Sequence, residues 1–146
     1  MNDAPLPDQE GTVKPVRVKL PKNQNLVTII LIVITVLIFL LQFITESITG
    51  LDLLFAYGGK INTFIKMGQV WRLITPVFLH GSILHIALNM YALFIIGRRM
   101  ERFYGRKRLL LLYLLSGFAG NVLSFVLTPA ASLGASTAVF GLLAAE

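Results

Sequence analysis

Residues 26–44 read LVTIILIVITVLIFLLQFI, and this stretch decides the class of protein. Two threonines and one glutamine are its only polar residues. As a helix rising about 1.5 Å per residue it covers roughly 28 Å, close to the ~30 Å hydrocarbon core of a bilayer. The run is too long for the apolar core of a signal peptide, and no small-residue cleavage site follows it. We therefore predict a transmembrane helix.

The composition of the whole chain agrees with a membrane protein. Of its 146 residues, 55% are hydrophobic and 14% are charged, whereas about a quarter of the residues of a soluble domain are charged. A disordered chain is excluded because disorder requires low hydrophobicity and high charge. The sequence contains no cysteine, which excludes a disulfide framework and a thiolate metal site.

Three further apolar stretches follow, over about 80–97, 109–127 and 132–145. The last covers only about 22 Å as a helix and is followed by Glu146, whose charge would be costly inside a bilayer. We therefore expect the sequence to stop inside the fourth helix of a longer protein. The predicted organisation is a flexible basic cytoplasmic tail over residues 1–25 and a membrane domain over residues 26–146.

The net charge of +6 has a topological explanation. Basic residues precede the first predicted span and cluster again over residues 98–108, two crossings later. Because cytoplasmic loops are enriched in lysine and arginine, both segments are assigned to the cytoplasm and the loop over residues 45–79 to the outside. We expect a multi-pass protein of a bacterial plasma membrane with a cytoplasmic N-terminus. No nucleic-acid partner is expected, because the basic residues are explained by this topology.

Polar residues in the second span are candidates for a functional site. His85 and Asn89 are four residues apart and share one helix face, and His80 lies more than a turn earlier. Hydrogen bonding within a helix bundle explains all three residues equally well. The five-residue spacing of His80 and His85, with no glutamate between them, does not match the zinc motif His-Glu-x-x-His. No metal site is therefore predicted.

The second candidate is the Gly134-Ala135-Ser136-Thr137 sequence that opens the fourth apolar stretch. A hydroxyl at a helix N-terminus lies beside free backbone N–H groups, which can stabilise an oxyanion. Small residues also allow close helix packing, which is the alternative explanation of this stretch. The small residues are Gly134, Ala138, Gly141 and Ala145, and a comparable row in the third span, Ser116, Gly120 and Ser124, is interpreted as packing alone.

Four motifs follow one another along the chain: Trp71-Arg72, His80-x4-His85-x3-Asn89, Glu101-x3-Gly105 and Gly134-Ala135-Ser136-Thr137. Taken together, these motifs resemble the rhomboid family of intramembrane serine proteases, in order and spacing, over about residues 45–146. The resemblance implies an all-α fold: a polytopic helical membrane protein with a rhomboid-like bundle, of which the chain holds the first four of about six transmembrane helices.

The resemblance also implies a serine endopeptidase that cleaves peptide bonds in or near transmembrane segments of other membrane proteins. Its partners would be those substrates and the lipid bilayer, and no cofactor is implied. Ser136 would be the nucleophile, and His85, Asn89 and the Ser136 backbone N–H would form the oxyanion hole. The supporting residues implied are His80, Trp71, Arg72, Gly134, Glu101 and Gly105, with Trp71 and Arg72 shaping the first loop.

Two departures from the family pattern concern the site. Thr137 replaces the glycine that most often follows the serine, and no histidine follows Ser136. In the family the general-base histidine lies on the sixth helix, so residues 1–146 alone are expected to be inactive. The alternative function is a non-catalytic rhomboid-like protein that binds client transmembrane helices, although such relatives usually lack the serine or its oxyanion partners. A transporter or channel would place charges at mid-membrane, and the complete predicted spans have none.

Overall fold

The structure is a computed structural model, and it describes residues 25–146. The tail predicted over residues 1–25 therefore lies, except for its last residue, outside the described residues. The described chain forms six α-helices and two 3₁₀ turns. The α-helices are α1 (Leu26–Thr49), α2 (Leu53–Gly58), α3 (Asn62–Lys66), α4 (Ile83–Tyr104), α5 (Arg106–Leu127) and α6 (Ser136–Ala144), and the turns are Val70–Leu73 and Thr75–Phe78.

The predicted all-α membrane fold is confirmed. Among residues 25–146 there is no strand, and the one strand-like feature is an isolated antiparallel bridge between Lys60 and Ser132. The helices α1, α4 and α5 are long and apolar enough to cross a membrane. The fourth apolar stretch, predicted from Ser132, is helical only from Ser136, because the residues before it form an irregular link from α5.

The helices α4 and α5 differ in their bounds from the second and third predicted spans. The helix α4 begins at Ile83, where the Ser82 hydroxyl accepts a hydrogen bond from the His85 N–H and caps it. It then continues through the basic cluster to Tyr104, because arginine and methionine favour helix and long basic side chains extend toward water. Gly105, with a φ of +80°, separates α4 from α5.

The polar residues of α1 face the protein. Thr28, Thr35 and Gln42 are spaced by seven residues, so they lie on one side of the helix, and each is at most 2% exposed. Leucines on other faces, such as Leu37 and Leu41, are half exposed. Polar residues inside and leucines outside are the reverse of the arrangement in a soluble protein. This arrangement is typical of a membrane helix, because lipid tails are as apolar as leucine and polar groups are satisfied inside the bundle.

Glu101 fastens the beginning of α1 to the end of α4. Its carboxylate accepts hydrogen bonds from the N–H groups of Val27 and Thr28, both at 2.9 Å, and from the Thr28 hydroxyl at 2.8 Å. The first N–H groups of a helix lack internal partners and carry partial positive charge, so a buried carboxylate satisfies them. At about 1.5 Å per residue, Glu101 lies roughly 24 Å along α4 from His85. Glu101 and Gly105 therefore support the bundle at a distance from the candidate site.

Small residues bring α5 and α6 together. A Cβ atom added at Gly141 would lie 2.2 Å from the Ser116 side chain, and one added at Gly120 would lie 2.5 Å from Thr137. A Cβ atom added at Gly117 would lie 2.5 Å from Val77, so the first loop also packs against α5. The two rows of small residues found in the sequence thus face each other, and this packing fixes the position of α6.

Candidate active site

Ser136 is the first residue of α6 and is half buried. The residue two positions earlier, Gly134, has a φ of +119°, a conformation that other L-residues rarely adopt. This turn ends the link from α5 and starts α6 at the serine. The first backbone N–H groups of α6 lie in the same turn as the hydroxyl, and helix N-termini favour negative charge there.

His85 and Asn89 lie one turn apart on the first half of α4. The Asn89 side chain is 8% exposed, and its Nδ2 donates a hydrogen bond to the His85 carbonyl oxygen at 2.9 Å. An amide NH₂ has two donors, so one remains for another acceptor. The bond to its own helix fixes the rotamer of Asn89.

The His85 ring lies against the Gly134 backbone. A Cβ atom built on Gly134 would lie 2.7 Å from both Nε2 and Cε1 of His85. Only a glycine provides both the positive φ and the space for this imidazole. The ring is thereby held close to the turn that precedes Ser136.

Asn89 and Ser136 line one groove between α4 and α6. The groove has a volume of about 250 Å³, and these two residues are the polar members of its lining. Its other lining residues are Leu88, Ala92, Ile96, Val139, Phe140 and Leu143. An amide donor and a hydroxyl therefore share an apolar concavity, where hydrogen bonds and dipoles act more strongly than in water.

His80 belongs to the support of the site. It is 2% exposed, its Nε2 accepts a hydrogen bond from the Ala135 N–H at 3.4 Å, and its ring meets that of His85 edge to face at 5.0 Å. The backbone N–H of His80 donates a hydrogen bond to Oε1 of Gln42 at 3.0 Å. Gln42 was not identified from the sequence as a support of the site. Its seven-residue spacing from Thr35, which puts it on the polar face of α1, is the sequence feature that could have indicated it.

Arg72 and Trp71 lie in the first loop. The Arg72 guanidinium is almost fully buried and donates to the carbonyl oxygens of Gly59 at 2.8 Å and Ala56 at 2.7 Å. Trp71 is 51% exposed, and its indole N–H donates to the Tyr57 carbonyl at 3.2 Å. Both side chains thus bind backbone carbonyls of the same loop. Neither residue lines the groove between α4 and α6.

Lys60 and Asn62 join the first loop to the link before α6. The Lys60 ammonium donates to the carbonyl oxygens of Thr128 and Ala130, both at 2.8 Å, and Asn62 donates to those of Phe125 and Thr128. Burial lowers the pKa of Lys60, because the charged form loses its hydration. Sequence reasoning missed both residues, since a lysine and an asparagine in a polar loop give no local signal of burial.

In the part of the chain that the structure describes, no three His, Asp or Glu side chains cluster so that they could hold a metal ion.

Comparison with known proteins identifies the family to which the chain is related. The model of the Rhomboid domain matches residues 67–146. Rhomboid protease GluP of Bacillus subtilis (strain 168) is 44% identical over 118 residues, which are 81% of this chain and 23% of that protein. Rhomboid-like protease 3 of Toxoplasma gondii is 45% identical over 89 residues, 60% of this chain and 32% of that protein.

RHOMBOID-like protein 7 of Arabidopsis thaliana is 41% identical over 119 residues, 73% of this chain and 37% of that protein. The chain thus spans between about a quarter and two fifths of the length of these relatives. The matched region contains α4, α5, α6 and the candidate site. With its apolar spanning helices, this chain is a multi-pass membrane protein that belongs to the rhomboid family.

Proposed function

We propose that the protein carrying this chain is an intramembrane serine endopeptidase that cleaves peptide bonds in or near transmembrane segments of membrane proteins. The observation that carries the proposal is the groove in which Ser136 and Asn89 are the polar residues, with His85 held against the adjoining turn. Two of the similar proteins described above are named proteases, which supports the same class of activity.

In this proposal the Ser136 hydroxyl attacks the scissile carbonyl. The negative charge that develops on the carbonyl oxygen is stabilised by His85, by the second amide proton of Asn89 and by the Ser136 backbone N–H. The amide and backbone N–H donors beside the apolar groove stabilise an oxyanion without the cost of burying a permanent charge. No histidine follows Ser136 within residues 1–146. We assign the general base, as the family resemblance implies, to a histidine outside residues 1–146.

We also propose which end of the helix bundle faces the cytoplasm. Lys60 and Ser132 exchange two backbone hydrogen bonds, so the first loop and the link before α6 lie at the same end of the bundle. The basic residues around Gly105 lie at the other end of α4 and α5. By the positive-inside rule, that end is cytoplasmic with residues 1–25, and Ser136 and the water it requires lie toward the outside.

The test uses the full-length protein in a bilayer with a transmembrane substrate and a serine-reactive fluorophosphonate probe. Ser136→Ala removes the nucleophile, so we expect both labelling and cleavage to fall to background. Ser124→Ala, a serine in the small-residue row of α5, is the matched control and should retain both. Cleavage that survives Ser136→Ala would rule out the proposed mechanism.

A non-catalytic role as a binder of client transmembrane helices is the second candidate. It is favoured by the apolar walls of the groove, which suit a helix as well as a substrate. A wild-type protein that captures a transmembrane peptide but never cleaves it, and whose affinity is unchanged by Ser136→Ala, would support this alternative.

A further inference from the structure

Lys60 is a fully buried lysine whose ammonium is satisfied by carbonyl oxygens. Its Nζ donates to Thr128 O and Ala130 O at 2.8 Å, while its backbone exchanges hydrogen bonds with Ser132 at 3.0 and 3.1 Å. A buried charge that meets only dipoles is expensive compared with an apolar side chain of the same length. Packing alone would therefore favour methionine at this position.

The carbonyls that Lys60 and Asn62 bind belong to the end of α5 and the residues just after it. The last carbonyls of a helix have no internal partners and carry partial negative charge. Asn62 Nδ2 binds Phe125 O at 3.0 Å and Thr128 O at 3.1 Å, and the Lys60 ammonium binds Thr128 O as well. Two residues of the first loop thus cap the end of α5, although they precede it by more than sixty positions in the sequence.

The link over residues 128–135 runs from this cap directly to Ser136. Lys60 anchors its first part at Thr128, Ala130 and Ser132. Its last part is anchored where the Gly134 N–H donates to Pro76 O at 2.8 Å and the Ala135 N–H donates to His80 Nε2 at 3.4 Å. All these anchors come from residues 60–80, so the loop that contains Lys60 and the segment after it hold the link that leads to Ser136.

We propose that Lys60, together with Asn62, is a positioning residue for Ser136. By clamping the end of α5 and the link, the pair sets where the Ser136 hydroxyl and backbone N–H lie relative to His85 and Asn89. This inference rests on the proposed protease function. Misplacement of a reacting group by about 1 Å costs on the order of 10²-fold in rate, so a small movement of the link is sufficient for a large effect.

The alternative is a clamp that contributes stability alone. Such a clamp would lower the melting temperature when removed but would leave turnover per folded molecule unchanged. A positioning role instead lowers kcat and the reactivity of Ser136 in the folded protein and leaves KM nearly constant, because the substrate-binding walls of the groove do not include Lys60 or Asn62.

The experiment compares Lys60→Met, Lys60→Arg and Asn62→Ala in the full-length protein, with Lys66→Met as the control. Lys66 is an exposed lysine of the same loop. Cleavage of a transmembrane substrate gives kcat and KM, labelling by a fluorophosphonate gives Ser136 reactivity, and thermal unfolding gives the folded fraction. We expect Lys60→Met to lower kcat by about 10- to 100-fold with KM changed less than about twofold, and labelling to slow in parallel.

Asn62→Ala should lower kcat in the same direction by less, and Lys60→Arg, which keeps the charged donors, should recover most of the kcat lost in Lys60→Met. Unchanged kcat per folded molecule in Lys60→Met would overturn the inference. If Lys60→Met does not fold, unchanged kcat in folded Asn62→Ala would overturn it. Should Ser136→Ala abolish cleavage while these variants behave as wild type, the protease function stands and the positioning role fails. A wild-type protein without Ser136-dependent cleavage removes both.

Discussion

Gly134 is the residue at which backbone conformation and side-chain packing impose the same requirement. Its φ of +119° starts the turn into α6, and the His85 imidazole occupies the space that a Cβ atom would take. Gly68 has a comparable φ of +97° but open space around it. Alanine substitutions at Gly134 and at Gly68 therefore separate the cost of backbone strain from the cost of displacing His85.

We predict that Gly134→Ala lowers Ser136-dependent turnover at least about 100-fold, because it adds backbone strain of about 1–3 kcal/mol and also pushes His85 away from the proposed oxyanion position. Gly68→Ala carries the strain alone and should keep turnover within about threefold. Both variants would be measured for cleavage per folded molecule in the full-length protein. Equal losses in the two variants would show that backbone strain, and not His85, accounts for the effect.

Asn89 tests the oxyanion assignment at a single side chain. Loss of one oxyanion donor costs on the order of 10²–10³ in rate, whereas a hydrogen bond that only joins groups inside a bilayer averages about 0.6 kcal/mol. We therefore predict that Asn89→Ala lowers turnover by that factor with little change in melting temperature, both measured on one preparation. Near-normal turnover with a lowered melting temperature would make Asn89 a packing residue.

Among the secondary-structure elements, α5 and α6 make an especially close contact. Gly141 meets Ser116, and Gly120 meets Thr137, so backbone approaches backbone without large side chains between them. In a bilayer this close packing replaces the hydrophobic driving force that acts in water. Any side chain added at this contact must move α6, and Ser136 with it.

Gly141→Ala should destabilise the protein by about 1–3 kcal/mol, because its Cβ would overlap the Ser116 side chain. Adding Ser116→Gly creates the missing space and should restore much of the stability and the turnover. Ala119→Leu, on an exposed face of α5, is the control and should have little effect. The check is a double-mutant cycle by thermal unfolding, and strict additivity of Ser116→Gly and Gly141→Ala would disprove this contact.

The whole molecule has two distinct ends. At one end the first loop, the link and the start of α4 surround Ser136; at the other, Glu101 ties the start of α1 to α4 beside the basic residues around Gly105. A bilayer that lies between these ends gives the proposed topology, with the basic end in the cytoplasm.

Residues 1–146 contain no cysteine, so a single cysteine introduced there, in a full-length protein made free of other cysteines, tests this topology directly. Single cysteines at Lys66, in the exposed part of the first loop, and at Lys107, in the basic cluster, should react with an impermeant thiol reagent from opposite sides of the membrane. The full-length protein in oriented vesicles or intact cells provides the measurement. Reaction of both positions from the same side would contradict the three-span arrangement of α1, α4 and α5.

Much of the fold follows from the sequence because helix periodicity is local. The apolar length of 26–44 predicts a span, and the spacing of Thr28, Thr35 and Gln42 places its polar residues on one face. The small residues of α5 and α6 predict close packing, and the order of the motifs around His85 and Ser136 identifies the family. Each of these patterns is contained within a few turns of one helix or in short motifs.

Only the tertiary structure decided what lies between the helices. The link over residues 128–135 has no periodicity, so its path is set by Lys60, Pro76 and His80, which are more than fifty residues away in sequence. The partnership of Glu101 with the first turn of α1, across seventy-three residues or more, is equally invisible in local patterns. Irregular backbone takes its shape from its hydrogen-bond partners, and those partners become neighbours only when the helices pack.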